Sequence, residues 1–311
     1  MIFSRRRNVD ETVTFGYPYT HGKNQCADQG GDSEGEEGKF YRWEKPEVQA
    51  ALSADEYSLF AKVYGLERSP NFEEKFYVPQ LAQPLSEIAA ELKMTEMALE
   101  AKLAPVRQKL LKVRNTRERP NTDTKIVAAD NGLMIGGLAD AGRILKEPRS
   151  VAAAEKAAEL VLAKLRGAGG RLLRSFAGGE ARHNAYLNDY AFLADGLIRL
   201  YRATHNERWL DEADALTAKQ IELFADERGG GFFFTSRDHE TLLARGKEVV
   251  DSALPAGNSV AALNLIFLSG AKAKPEFLGL AKKAIAATIG ITQESPAAAP
   301  LMMTAIPSLK P

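Results

Sequence analysis

Three stretches of this chain repeat one pattern: a polar residue followed by small and aliphatic ones. They are Asn131-Gly132-Leu133-Met134-Ile135, Asp189-Tyr190-Ala191-Phe192-Leu193 and Asn258-Ser259-Val260-Ala261-Ala262. Each lies in a helical pattern that is apolar nearly all round, which means burial on most sides. An amphipathic pattern follows, carrying Glu155, Lys156, Glu159 and Lys164 in one case and Asp211, Glu212, Asp214 and Lys219 in another. Helical periodicity covers 125–145, 150–166, 186–203, 208–226, 257–269 and 276–290, and these segments fall into pairs. Within a pair the connection is short, as at Lys146-Glu147-Pro148 and His205-Asn206-Glu207; between pairs it is long, at 167–185 and 227–256. Short connections make antiparallel neighbours, so each pair is a helical hairpin and the long loops gather at one end. Buried inner helices ringed by amphipathic outer ones describe an α/α toroid, with a concave site at the loop-bearing rim. Both long loops open with glycines and a short β-like run, at 169–174 and 229–234, which predicts short rim β-hairpins.

The 311 residues leave room for one large domain or two modest ones. Residues 1–39 read as an irregular leader ending in the acidic run Asp32-Ser33-Glu34-Gly35-Glu36-Glu37-Gly38, a solvated loop by composition. Residues 40–122 read as a helical insertion or the first part of the toroid region, and 123–311 as the hairpin arc. In the middle part Phe40-Tyr41-Arg42-Trp43 predicts a short strand and Pro46 opens a helix. Ser53 and Glu56 have capping-box spacing. Pro84 and Thr95 start two more helices, the second interrupted at Pro105.

The charges balance, 41 Lys+Arg against 41 Asp+Glu, which argues against nucleic acid as a partner. No window approaches the apolar length of a membrane span. Cys26 is the single cysteine, so no disulfide, CxxC pair or cysteine-rich zinc site forms within the chain, and a reducing, cytoplasmic setting is expected. The sequence holds no P-loop, HExxH or GxSxG motif and no cluster at metal spacing, so neither metal nor cofactor is expected.

Five ordered segments carry a family resemblance. They are Asp32 to Tyr41; Asp123-Thr124-Lys125-Ile126 through Ile135; Leu187-Asn188-Asp189-Tyr190-Ala191-Phe192-Leu193; Gly229 to Thr235; and Lys247-Glu248-Val249-Val250-Asp251 through Pro255-Ala256-Gly257-Asn258-Ser259. Together they resemble the DUF255 group of thioredoxin-domain-containing proteins related to spermatogenesis-associated protein 20. The resemblance implies a six-hairpin (α/α)6-type toroid, similar to those of N-acylglucosamine 2-epimerases and six-hairpin glycosidases, behind an N-terminal thioredoxin-like domain. In this chain the thioredoxin-like domain with its CxxC, and the first hairpins with their His-containing helix, have no counterpart. Asp130 stands where the family usually has Trp. The expectation is therefore an incomplete ring, a partial toroid whose open apolar edge is a surface for self-association or a partner chain.

For chemistry, Asp189, Asp251, Lys247 and His183 are the catalytic candidates, and Asp32, Glu34, Lys125, Asn131, Tyr190 and Asn258 the substrate-binding ones. Amides and carboxylates fix sugar hydroxyls while an aromatic face stacks on the ring, so a small carbohydrate suits this set. Asp32 with Glu34, or Asp189 with Asp251, offers the two carboxylates that glycosyl chemistry needs. Lys125 and Lys247 are bases if desolvated, or partners of carboxylates in ion pairs. His183 is the rim histidine suited to sugar enolisation; His21, His205 and His239 lie elsewhere. Against all of these stands ordinary capping, since Asn, Asp and Ser at helix starts satisfy backbone amides. Two functions remain open: a sugar epimerase, isomerase or glycosidase-like enzyme, or a non-catalytic interaction scaffold. A redox role ranks last, because Cys26 alone cannot cycle between dithiol and disulfide.

Overall fold

The computed structural model describes residues 28–240 and 242–309. His21 and Cys26 lie outside the described residues. The chain divides into two compact units, with the boundary between Asp123 and Thr124.

The first unit contains β1 (Asp28–Gln29), β2 (Asp32–Ser33), β3 (Glu36–Glu37), α1 (Lys45–Ala51), α2 (Ala54–Val63), α3 (Leu85–Glu91), α4 (Glu96–Arg114) and β4 (Thr122–Asp123). β1 pairs antiparallel with β4, and β2 with β3. The acidic run is thus an ordered hairpin and not a loop. Glu34 and Gly35 turn it with φ of 53° and 77°, and Lys39 reaches Glu34 at 3.3 Å and Glu36 at 2.8 Å. α2 starts on the predicted capping box: Ser53 Oγ accepts the Glu56 amide at 3.3 Å, and Glu56 accepts the Ser53 amide at 3.0 Å. Phe40 to Trp43 forms a turn in place of the expected strand, with Trp43 bridging to Tyr77. Arg117 fixes that turn by donating to the carbonyls of Phe40 at 3.0 Å and Arg42 at 2.7 Å. α4 continues past Pro105, where an interruption is expected. Leu99, Leu103, Val106 and Leu110 on one face are buried in the unit's core, and their burial outweighs the ladder bond that proline removes.

The second unit contains β5 (Ile126–Val127), α5 (Ala128–Leu145), α6 (Pro148–Leu165), β6 (Leu173–Ala177), β7 (Glu180–Asn184), α7 (Leu187–Thr204), α8 (Glu207–Phe224), α9 (Gly257–Ala271), α10 (Pro275–Glu294) and α11 (Pro300–Ala305). The long helices form three hairpins. α7 packs between α5 and α9, while α6, α8 and α10 each pack on the preceding inner helix. This is the inner-and-outer layering of an α/α toroid, with a small antiparallel sheet β5-β6-β7 beside it. The 229–234 run is the exception to the expected rim hairpins. It is a glycine turn with one bridge, Ala225 to Phe232, because Gly230 and Gly231 at φ 71° and 69° curl the chain back before a strand can extend.

The first two hairpins use the same turn. Lys146 and His205 take the left-handed conformation and end α5 and α7; then Glu147 and Asn206 accept the amides of Arg149 and Arg208 at 3.2 and 3.1 Å. The Asn206 cap is worth about 1 kcal/mol.

The small residues of the inner helices set the spacing between them. A Cβ on Gly132 of α5 would lie 2.5 Å from the Leu193 amide nitrogen, and one on Gly196 of α7 would lie 2.4 Å from the Gly132 carbonyl oxygen. Backbone therefore meets backbone where α5 crosses α7, and the buried Ile135, Leu193, Leu197, Leu200 and Leu265 close the core around the crossing. Among the described residues no helix is long and apolar enough to cross a membrane.

Candidate rim site of the second unit

α5 and α7 begin side by side, and one carboxylate joins them. Asp189 occupies the third position of α7 and is 1% exposed. Its Oδ1 accepts the Ala129 amide of α5 at 3.0 Å and its Oδ2 accepts the Tyr186 amide at 2.8 Å. Burial pushes its pKa up to about 6, against the opposing pull of both amides and of Arg174. α9 begins beside α7: a Cβ on Gly257 would fall 2.1 Å from Asn188 Oδ1, so a larger residue there would have to displace the Asn188 side chain. Three helix starts thus share this rim.

Most of the sequence-predicted residues of this unit are engaged in holding backbone. Tyr190 accepts the Leu172 amide at 2.7 Å and Arg171 Nη1 at 3.1 Å. Asn131 donates to the Val127 carbonyl at 2.8 Å. Asn258 accepts the Phe232 amide at 2.8 Å and donates to the carbonyls of Phe232 and Glu248, each at 2.9 Å. Lys247 donates to the Gly230 carbonyl at 2.6 Å and pairs with Asp226 at 2.7 Å. The Gly229 amide, then Lys247 and the Arg228 amide, hold the Asp226 carboxyl down at about 2. Asp251 accepts the amides of Ala256 at 2.7 Å and Leu301 at 2.8 Å, fixing the starts of α9 and α11. His183 is exposed on β7 with φ 63°, and Lys125 is exposed beside β5. Asp32 and Glu34 belong to the β2-β3 hairpin of the first unit, where Glu34 pairs with Lys39.

A different group gathers around Tyr186 at this rim. The ring of Tyr186 stacks on Phe234 at 4.8 Å and on His239 at 4.9 Å, and the Arg174 guanidinium lies 5.0 Å from its centre. Tyr186 is half-buried, while Arg174 and Asp130 are exposed. Partial burial raises the Asp130 carboxyl, and the nearby Arg174 charge works against that rise. Asp130 drew notice in the sequence only as a departure from a family pattern. Its place in the first turn of an inner helix, next to Asn131, was the available signal. Tyr186 carried a comparable one, since it directly precedes an inner helix.

Ser236, Asp238 and His239 also come together, but not as a nucleophilic triad. The buried Ser236 Oγ touches both the Asp238 carboxylate and His239 Nδ1, so no carboxylate orients the imidazole toward the serine. A cavity of about 330 Å³ lies between α8, α10 and the glycine turn, lined by Asp226, Glu227, Arg237 and Lys283 among others; none of the candidate residues lines it. Among the described residues no group of His, Cys, Asp and Glu is placed to hold a metal ion.

No family model matches the chain. Solved structures similar to it include a sugar epimerase from a ruminal bacterium, at 12% identity and TM-score 0.46 over 78% of this chain and 71% of that one. A D-mannose isomerase matches at 15% identity and TM-score 0.44, over 64% of this chain and 54% of that one. Among curated proteins, an uncharacterized protein of Caenorhabditis elegans is 27% identical over 297 residues, 87% of this chain and 40% of its own length. The chain is also 33% identical to spermatogenesis-associated protein 20 of Homo sapiens over 262 residues, which is 75% of this chain and only 33% of that protein's length.

Proposed function

We propose that the second unit binds a small carbohydrate at the rim formed by Asp130, Arg174 and Tyr186, and that its buried polar residues hold the frame without catalysing. The observation that carries this reading is a division of labour. Asp189 has a pKa close to neutrality, as a general acid or base requires, yet it is 1% exposed and both its oxygens are taken by backbone amides. Asp251 and Lys247 are likewise engaged with backbone partners. Arg174 remains exposed beside the half-buried Tyr186 ring, and Asp130 is exposed within range of the Arg174 charge. A carboxylate accepts from sugar hydroxyls, a guanidinium donates to them, and a tyrosine adds a hydroxyl and, once its ring is uncovered, an apolar face for a pyranose.

NMR titration of the full chain with hexoses and N-acyl hexosamines tests this. The expected result is perturbation at Asp130, Arg174 and Tyr186, lost in Arg174→Gln and Tyr186→Leu, with every sugar recovered unchanged. No perturbation by any of these sugars overturns the binding, and turnover overturns the non-catalytic part.

A second reading, an interaction scaffold, is favoured by Ile144 and Leu145 in the last turn of α5, which are 64% and 73% exposed. Light scattering across a concentration series separates the two: mass rising with concentration and suppressed by Leu145→Lys supports an apolar contact, and a constant monomer mass removes self-association.

A further inference from the structure

His239 sits in the segment that leaves the rim at Phe234 and returns at Gly246, where the Phe234 amide donates to the Gly246 carbonyl at 2.8 Å. The base of this segment is well tied. The Leu187 amide donates to the Phe234 carbonyl at 3.0 Å, and Arg245 Nε donates to the Thr235 carbonyl at 3.1 Å. Farther out, Leu242 and Leu243 are exposed. His239 stands between the tied base and the exposed part. Its Nδ1 accepts the Ser236 amide at 3.2 Å and touches Ser236 Oγ, and its ring stacks on Tyr186.

We propose that His239 is a proton-operated clasp: the neutral imidazole holds residues 235–240 against Tyr186, and protonation releases them and uncovers the tyrosine ring. The proposal concerns regulation of the rim and rests on the reading of Tyr186 as part of a binding site. The chemistry is local. An imidazolium has no lone pair at Nδ1, so it cannot accept the Ser236 amide, and two donors then face each other. Charged groups around the ring work in both directions. Arg171 opposes a second cation; its Nη2 donates to Ser236 Oγ and to Asp238 Oδ1, each at 2.9 Å. Asp238, then the Asn184 backbone of β7 and Glu240, favour the cation. Arg174 lies over the same tyrosine from β6. Burial comes first among these influences and, with Arg171, keeps the imidazole below its ordinary value of 6.5. The clasp is therefore closed at neutral pH and opens on acidification.

Hydrogen exchange of the ligand-free full chain, normalised to intrinsic rates, tests the clasp directly. The opening equilibrium of the 235–240 amides should rise by up to about tenfold per pH unit between the imidazole's value in the closed and the open segment. His239→Gln, which cannot titrate, should lose that response, and His239→Ala should leave the segment open at every pH with the α7 amides still protected. Protection independent of pH overturns the proposal, as does a response that survives in His239→Gln. Repeating the measurement with a hexose separates this claim from the one beneath it. Opening without sugar binding at either pH supports the clasp and overturns the carbohydrate reading. Opening with equal sugar binding at both pH values overturns the claim that the segment covers Tyr186.

Discussion

Asp189 of α7 accepts the backbone amide of Ala129, the second residue of α5, at 3.0 Å while its other oxygen caps its own helix at Tyr186. One side chain thus terminates two inner helices and fixes their starts side by side. Asp189→Ala removes the acceptor for both amides at a site that water does not reach, and each stranded amide costs about 1–3 kcal/mol. Chemical denaturation at neutral pH should show the loss as a lower midpoint with an unchanged slope.

The pH dependence of this residue has a definite sign. Its carboxyl rises from 3.8 to about 6 in the folded chain, so between those values the folded state keeps a proton that the unfolded state has released. Its stabilising contribution is fully present below 3.8 and is lost as pH rises through about 6. Comparing the chain with Asp189→Asn across pH 4 to 7 checks this: the wild type's advantage should shrink as pH rises to about 6 and stay level above it.

Glycine-to-alanine substitutions in one helix should have opposite signs. At Gly132 the new methyl meets α7 backbone at 2.5 Å, and at Gly196 it meets the Gly132 carbonyl at 2.4 Å. Both should destabilise by about 1–3 kcal/mol, since neither partner is a side chain that can swing away. Gly137, exposed in α5, has nothing within 4 Å of where a Cβ would stand. Gly137→Ala should stabilise by about 1 kcal/mol, the ordinary helix preference. Thermal denaturation of the three variants decides the matter.

Asp251 offers a local test. Its two oxygens hold the Ala256 and Leu301 amides, and so tie α11 to the approach to α9. Asp251→Ala should raise hydrogen exchange across 300–305 while leaving α5 and α7 protected. Uniform protection across 300–305 would show that apolar packing of Met302 and Ala305 suffices to hold α11 in place.

The hairpins were legible because periodic burial leaves a local trace. The predicted 186–203 and 208–226 correspond to Leu187–Thr204 and Glu207–Phe224. Residues whose role depends on distant partners were not legible. Spacing identifies Asp189 as a cap for α7 but carries no sign of Ala129, which lies on another helix. Asn258 reads as an N-terminal residue of α9, yet it bonds the glycine turn 26 residues earlier. At Pro105 a local rule failed because burial of Leu103 and Val106 on α4 overrode it. The group around Tyr186 is invisible in the sequence for the same reason: Asp130, Arg174 and Tyr186 lie apart along the chain, and only the fold brings Arg174 to the ring and within range of Asp130.

Isothermal titration of the full chain with hexoses and N-acyl hexosamines, beside Arg174→Gln and Asp251→Asn, tests the division between framework and open rim most directly. The account predicts that one of these sugars binds, that Arg174→Gln abolishes the heat, and that Asp251→Asn lowers stability while binding persists below its unfolding transition. Absence of binding to any of the sugars, or binding that Arg174→Gln leaves intact and Asp251→Asn removes from a folded chain, would contradict it.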